Sequence, residues 1–265
     1  AGAFFDLGVL AKAPARMIRA GLGDSICRNT AQADWLLSHL LFGTAYRQLP
    51  FDLLADDEAQ LLELAAALVD GDLDAMRVLV RVLVLSGFGT AIVGSSAPAS
   101  QGEHLISHYI DMMGDAKRPS VLHGEQIGVT TLSIARLYDQ MLERPPVVTA
   151  ETLNEADLRE TFGDLTESVW PEFALKRLDA AGAEALNAKL AAEWDDIRGL
   201  VSDVRLPTST IETVLRTAGG PLTPEAIHLE RNFYEQAVQH GREIRNRYTI
   251  LDLAAQSGRL DPHSL

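Results

Sequence analysis

An all-α helical bundle is the fold this sequence predicts, and three observations carry that expectation. Apolar residues return at intervals of three and four along most segments, strand-like alternation is nearly absent, and capping residues, glycines and prolines punctuate the periodic runs. Early in the chain, MIRAGLGDSICRNTAQADW predicts a glycine turn followed by a helix that Asp24 opens as a cap, with Asp34 and His39 further along. In DDEAQLLELAAALVDG, Leu61, Leu64, Ala65 and Leu68 share one face, acidic residues open the segment and Gly71 closes it. The next run has Asp72 as cap and is rich in valine, so local evidence also admits a strand. Residues 73–86 outrun an ordinary strand, which favours a helix, and apolar residues on nearly every side predict a central position for it.

Further helices are expected at 102–113, 124–142, 154–162, 167–180 and 182–199. Thr223-Pro224-Glu225 has the composition of another helix start. Breaks at Arg205-Leu206-Pro207 and Gly219-Gly220-Pro221 suggest a helical body over 1–205 and a helical extension over 206–265 packed on it. Neither an internal repeat nor a low-complexity tract is visible. No GxGxxG turn follows a strand, so nothing here reads as a nucleotide-binding sheet, and a nucleotide cofactor would require another domain.

A chain of 265 residues can bury a sizeable core. Its single cysteine, Cys27, excludes an intrachain disulfide and suggests a reducing, cytoplasmic setting. The net charge of −14 argues against nucleic acid as a partner but not against a small anionic substrate, because local cations or a metal override the average field. The longest apolar stretch, 78–85, is interrupted by Arg81 and falls short of the ~20 residues of a membrane span. The start of the chain lacks the pattern of a signal peptide. The apolar helices offer surfaces for a homo-oligomer.

Chemistry concentrates in GSSAPASQGEHLISHYIDMM and HGEQIGV. His104 and His108 are four residues apart and so share a helical face, and His123 stands at the next helix start. Taken alone, such a pair also suits a helix whose imidazoles bond neighbouring carbonyls. Asp24 can cap and ligate at once, and one carboxylate with imidazoles and an open position outlines a catalytic divalent-metal site. Glu103 and Glu125 each adjoin a histidine and could orient it, or could be solvated helix-start acids. Cys27 reads as a small buried residue, and Asp34 and His39 as surface or supporting groups. His228, His240 and His263 have no convergent context. Arg242, Arg245 and Arg247 could bind an anion, with ion pairing to the acidic surface the simpler reading.

Together, AKAPARMIRAGLGDSICRNTAQADW, GSSAPASQGEHLISHYID and LHGEQIGV resemble the sn-glycerol-1-phosphate dehydrogenases of the iron-containing alcohol dehydrogenase and dehydroquinate synthase-like superfamily. The likeness runs from about residue 8 to about 142, and REIRNRYTILDLA resembles the tail of bacterial members. The resemblance implies the C-terminal all-helical, metal-binding domain of a two-domain enzyme whose N-terminal nucleotide-binding domain is absent from this chain. It implies Asp24, His104 and His123 as metal ligands and His108 beside the substrate, relaying a proton or orienting the substrate.

The implied reaction interconverts dihydroxyacetone phosphate and sn-glycerol 1-phosphate with NAD(P), the metal polarising the ketone. Zinc suits the ligand set, and nickel and iron also accept it. An isolated chain of this kind is not expected to turn over. One departure stands out: the family loop GSSRPAS carries an arginine where this sequence has Ala97, which removes a cation from the expected cleft wall. A glycerol or polyol dehydrogenase-type domain and a non-catalytic metal-binding or interaction module are the alternatives. A metal-dependent phosphohydrolase lacks its adjacent His-Asp pair.

Overall fold

The computed structural model describes residues 2–115 and 117–265. Among them there is no β-strand. The helices follow as α1 (Leu7–Leu10), α2 (Ala15–Ile26), α3 (Arg28–Phe42), α4 (Leu49–Asp52), α5 (Ala55–Glu63), α6 (Ala65–Val69), α7 (Leu73–Val93) and α8 (Gly102–Met113). After these come α9 (His123–Met141), α10 (Glu155–Phe162), α11 (Thr166–Ala174), α12 (Ala180–Val204), α13 (Thr208–Thr217), α14 (Arg231–His240) and α15 (Ile250–Gln256). The all-α reading holds.

Apolar side chains gather in two clusters. One contains Leu37, Ile106, Tyr138, Phe173 and Tyr234, drawn from α3, α8, α9, α11 and α14. The other contains Leu22, Leu68, Val78 and Ile211, drawn from α2, α6, α7 and α13. Helix α9 joins them, since Val129, Ile134 and Leu137 belong to the first while Leu132 and Ala135 belong to the second. A helix buried on all sides is the natural centre of a bundle. Residues beyond 205 contribute to both clusters, Val214 and Leu215 to one and Tyr234 and Leu253 to the other.

The central position expected for 73–86 therefore goes to α9. Helix α7 is longer than expected and lies at the margin, burying Ala75, Met76, Val78, Leu79 and Val82 while Leu83, Phe88 and Ile92 stay exposed. Its Arg81 pairs outward with Asp57 at 2.8 Å. Hydrophobicity spread round a helix does not say which side finds a neighbour. With 21 residues and a mean hydropathy of 1.8 over its most apolar 18-residue stretch, α7 is long and apolar enough to cross a membrane by length and composition. Asp72 does cap it, accepting from Ala75 N at 2.8 Å.

Other boundaries shift for local reasons. The helix expected to end at Gly71 breaks at Leu64 into α5 and α6, and Gly71 closes the second with φ +83°. The span 167–180 stops at Ala174, and α12 starts two residues early because Asp179 accepts from Gly182 N at 2.7 Å. Thr223-Pro224-Glu225 opens only a short 3-10 turn, Glu225–Ile227, which left-handed His228 (φ 58°) ends.

Candidate metal centre

Asp24 is not at a helix start. It lies inside α2, and Gly23 before it serves close approach instead of a turn. A Cβ on Gly124 would fall 1.8 Å from the Ala20 carbonyl oxygen, and one on Gly23 would fall 2.1 Å from the Gly124 oxygen. Only hydrogen side chains let α2 and the first turn of α9 cross backbone to backbone. That crossing sets Asp24, on α2, against His123, the first residue of α9.

His104 and His108 come from the first two turns of α8, which packs alongside α9. His104 Nε2 lies 3.7 Å from Asp24 Oδ1, and His123 Nε2 lies 3.9 Å from the same oxygen. The ring centroids of His104 and His123 are 5.2 Å apart. One donor atom from each of the three residues falls within 4.8 Å of the others. A tetrahedral zinc ion with nitrogen and oxygen ligands at ~2.0–2.1 Å needs donors about 3.4 Å apart. The two distances to Asp24 Oδ1 need only a few tenths of an ångström of closure.

The orientation of His104 is fixed from behind. Its Nδ1 is 2.9 Å from Glu103 Oε1, which also accepts from Gln101 N at 2.8 Å, while Thr30 Oγ1 donates to Glu103 Oε2 at 3.1 Å. A carboxylate only accepts, so the ring hydrogen sits on Nδ1 and the Nε2 lone pair faces Asp24. This carboxylate–imidazole arrangement is the usual support behind a metal-bound histidine. The two glutamates that adjoin histidines differ: Glu125 turns away, pairing with Arg16 at 2.7 Å and accepting from Leu122 N at 2.9 Å.

Behind Glu103 lies Asp34, fully buried, which sequence reading left as a surface or supporting group. Its carboxylate accepts from Tyr138 Oη and Ile250 N at 2.7 Å and from Gly102 N at 3.0 Å. It thus ties the starts of α8 and α15 to α3 and α9. Burial and the neighbouring Glu103 push its pKa up to about 7, against the pull of those hydrogen bonds. Nothing local in the sequence marks Asp34, because its three donors are 68 to 216 residues away.

A crevice of about 330 Å³ opens over the cluster, lined by Asp24, His104, His108 and His123 together with Arg28, Ser96 and Ser100. His123 keeps 45 % of its side chain exposed, so the donors face accessible space. His108 stands beside the trio, its ring centroid 6.0 Å from His104 and 6.2 Å from His123. Burial, then the neighbouring imidazoles and Arg245, lower its pKa to about 4. His108 is therefore neutral near pH 7. Burial and His104 likewise lower His123.

Cys27 is buried, and its thiol is pushed well above the ordinary range by burial and by Glu103 and Asp24, so it is no thiolate nucleophile. Arg28, only 2 % exposed, was given no part by sequence reading; it pairs with Glu58 and donates to Ser86 Oγ at 3.0 Å in the crevice wall. His39 bonds the Thr44 carbonyl, while His240 and His263 meet Glu243 and Glu235, all away from the trio.

No family model matches the chain. Among curated proteins it is 28 % identical to a glycerol-1-phosphate dehydrogenase [NAD(P)+] of Bacillus velezensis over 263 residues, which is 99 % of this chain and 57 % of that protein. It is 30 % identical to the enzyme of the same name from Geobacillus stearothermophilus over 250 residues, 94 % of this chain and 55 % of the relative. This chain is similar in sequence to proteins named glycerol-1-phosphate dehydrogenase. Over 133 residues the identity rises to 39 % with the Hyperthermus butylicus protein, covering 50 % of this chain and 37 % of that one. The chain spans about half the length of the curated relatives it matches, or less.

Proposed function

We propose that this chain is the metal- and substrate-binding half of an NAD(P)-dependent dehydrogenase interconverting dihydroxyacetone phosphate and sn-glycerol 1-phosphate. The observation that carries the reading is the convergence of Asp24 Oδ1, His104 Nε2 and His123 Nε2 on one crevice, in a chain similar in sequence to enzymes named for that substrate. Asp24, His104 and His123 would hold a divalent metal, with zinc suited to the mixed nitrogen and oxygen set and nickel or iron also accepted. When bound, the metal supplies Lewis-acid polarisation of a carbonyl oxygen.

The chain's own residues do the rest. Glu103 fixes the tautomer of His104, so the cation meets a lone pair without proton loss. His108, neutral near pH 7, can accept a proton from the substrate hydroxyl during oxidation or orient the carbonyl during reduction. Ser96, Ser100 and Arg28 line the same crevice as the imidazoles and would bound the substrate there. Nicotinamide would come from the part of the protein that this chain does not span, and a cytoplasmic setting suits the reduced thiol.

The test is turnover by the full-length, zinc-loaded protein. Dihydroxyacetone phosphate should consume NADH or NADPH, and His108→Ala should slow that reaction while leaving zinc in place. Turnover confined to unphosphorylated polyols would move the protein to the polyol dehydrogenase type. Zinc binding with no nicotinamide-linked activity on any polyol or triose would make it a non-catalytic module.

A further inference from the structure

We infer that Arg245 and Arg247 form an anion-binding wall beside the metal crevice, recognising the phosphate monoester of a small substrate whose reacting oxygen faces Asp24, His104 and His123. The inference rests on the functional reading above and specifies its substrate end. A second cavity, about 360 Å³, is lined by His108, Asp111, Met112, Ser168, Ile244 and Arg245. His108 lines this cavity and the metal crevice alike, so one imidazole separates the two spaces. A short phosphorylated chain could reach across it.

Acidic residues outnumber basic ones, 37 to 23, so an anion is drawn in only where arginines stand beside a cavity without a carboxylate paired to them. Arg242, three positions earlier, is spent on Glu151 at 2.8 Å in the interior. Among the described residues, neither Arg245 nor Arg247 has a carboxylate within ion-pairing distance. Arg247 instead donates to neutral oxygens, to Ser96 Oγ at 2.7 Å and to the Ser100 carbonyl. Ser96 and Ser100 both line the metal crevice, so the guanidinium is fastened to its rim, where the Glu103 carboxylate acts on it only from beyond ion-pairing distance.

This places a cation against the loop that holds Ser96 and Ser100, supplied from about 150 residues downstream. Local backbone aims the pair: the 3-10 turn Gly241–Ile244 is buried, and the chain leaves it extended at Arg245 (φ −145°, ψ 158°). The acid in the second cavity is Asp111, which accepts from Gln126 Nε2 at 3.0 Å and lies 3.9 Å from Arg118. Asp111 is therefore directed toward other donors. Planar guanidinium groups are well matched to phosphate oxygens.

The experiment is calorimetric titration of the zinc-loaded chain with glycerol 1-phosphate and with glycerol, zinc content being measured on the same samples. Arg245→Gln should weaken glycerol 1-phosphate binding about tenfold to hundredfold, the loss typical of a charge-assisted hydrogen bond. Glycerol binding and zinc stoichiometry should not change, and Arg245→Lys should recover part of the affinity. Arg247→Lys should weaken the phosphorylated ligand selectively as well. Arg245 is exposed and has no partner in the fold, so its replacement leaves folding intact even if the Arg247 variant does not fold.

Equal affinity of Arg245→Gln and the unaltered chain for glycerol 1-phosphate, with zinc in place, overturns the inference. If the unaltered chain binds no zinc, the metal reading fails by itself, and inorganic phosphate titrated into the metal-free protein then decides the arginine wall. Phosphate binding weakened by Arg245→Gln supports it; identical or absent phosphate binding sinks it.

Discussion

Two clusters of ionisable side chains sit on opposite terms with solvent in this molecule. Around the 3-10 turn Gly241–Ile244, Lys176 meets Asp252 at 2.8 Å and Arg242 meets Glu151 at 2.8 Å, all four side chains nearly inaccessible. Each charge there faces its opposite. In the crevice, His104 Nε2 and His123 Nε2 face Asp24 Oδ1 at 3.7 and 3.9 Å, beyond hydrogen-bond distance and with open space above. The first arrangement is paired charge to charge as it stands, whereas the second presents donor atoms that a bound cation would satisfy. Complementarity marks the structural cluster, and shared deficiency marks the functional one.

The sharpest way to break the contrast is to disturb the scaffold that creates the crevice. Gly124→Ala should cost more than about 3 kcal/mol in urea unfolding, the upper end of ordinary overpacking, because the obstructing atom is backbone oxygen at 1.8 Å and cannot rotate away. Unchanged stability would mean that α2 and α9 cross less tightly than described here. Removing one partner of the sealed cluster comes next. Lys176→Met should destabilise by about 3–5 kcal/mol, since Asp252 is left charged in the interior, yet zinc affinity should stay constant. A large fall in zinc affinity would show that the two clusters are coupled.

Within the open cluster, Glu103→Gln should lower zinc affinity about 10- to 100-fold while the fold survives, as read by competition with a chromogenic chelator. No change would make Glu103 a packing group only. The smallest effect concerns pH. The His108 pKa of about 4 lies below the ordinary value of 6.5, so between those values the unfolded chain binds more protons. In the metal-free protein, His108 then contributes stability that is present above pH 6.5 and lost as pH falls toward 4. His108→Asn should flatten the stability-against-pH curve across that window, and an unaltered slope would mean that the imidazole titrates normally.

The same contrast explains what the sequence could disclose. The pairing of His104 with His108 was legible because spacing of four fixes a helical face, and α8 spans Gly102–Met113 as its periodicity predicts. The partnership of Asp24 with His123 came from resemblance, since no spacing rule joins residues about a hundred positions apart. Asp24 was misplaced as a cap because AGLGD imitates a turn; a glycine needed for close helix crossing and one needed for a bend look the same in a string of letters. Helix α7 was set at the centre because its composition records hydrophobicity but not neighbours. Asp34, Arg28 and the reach of Arg247 back to Ser96 stayed hidden because each is defined by partners far along the chain.

The most direct test of the account is the zinc stoichiometry of the purified chain after equilibrium dialysis, set beside that of His104→Ala and His123→Ala. The account predicts one tightly held ion per chain, lost in both variants while their helical content is retained. One ion bound with equal affinity in all three proteins, or none in the unaltered chain, would contradict it.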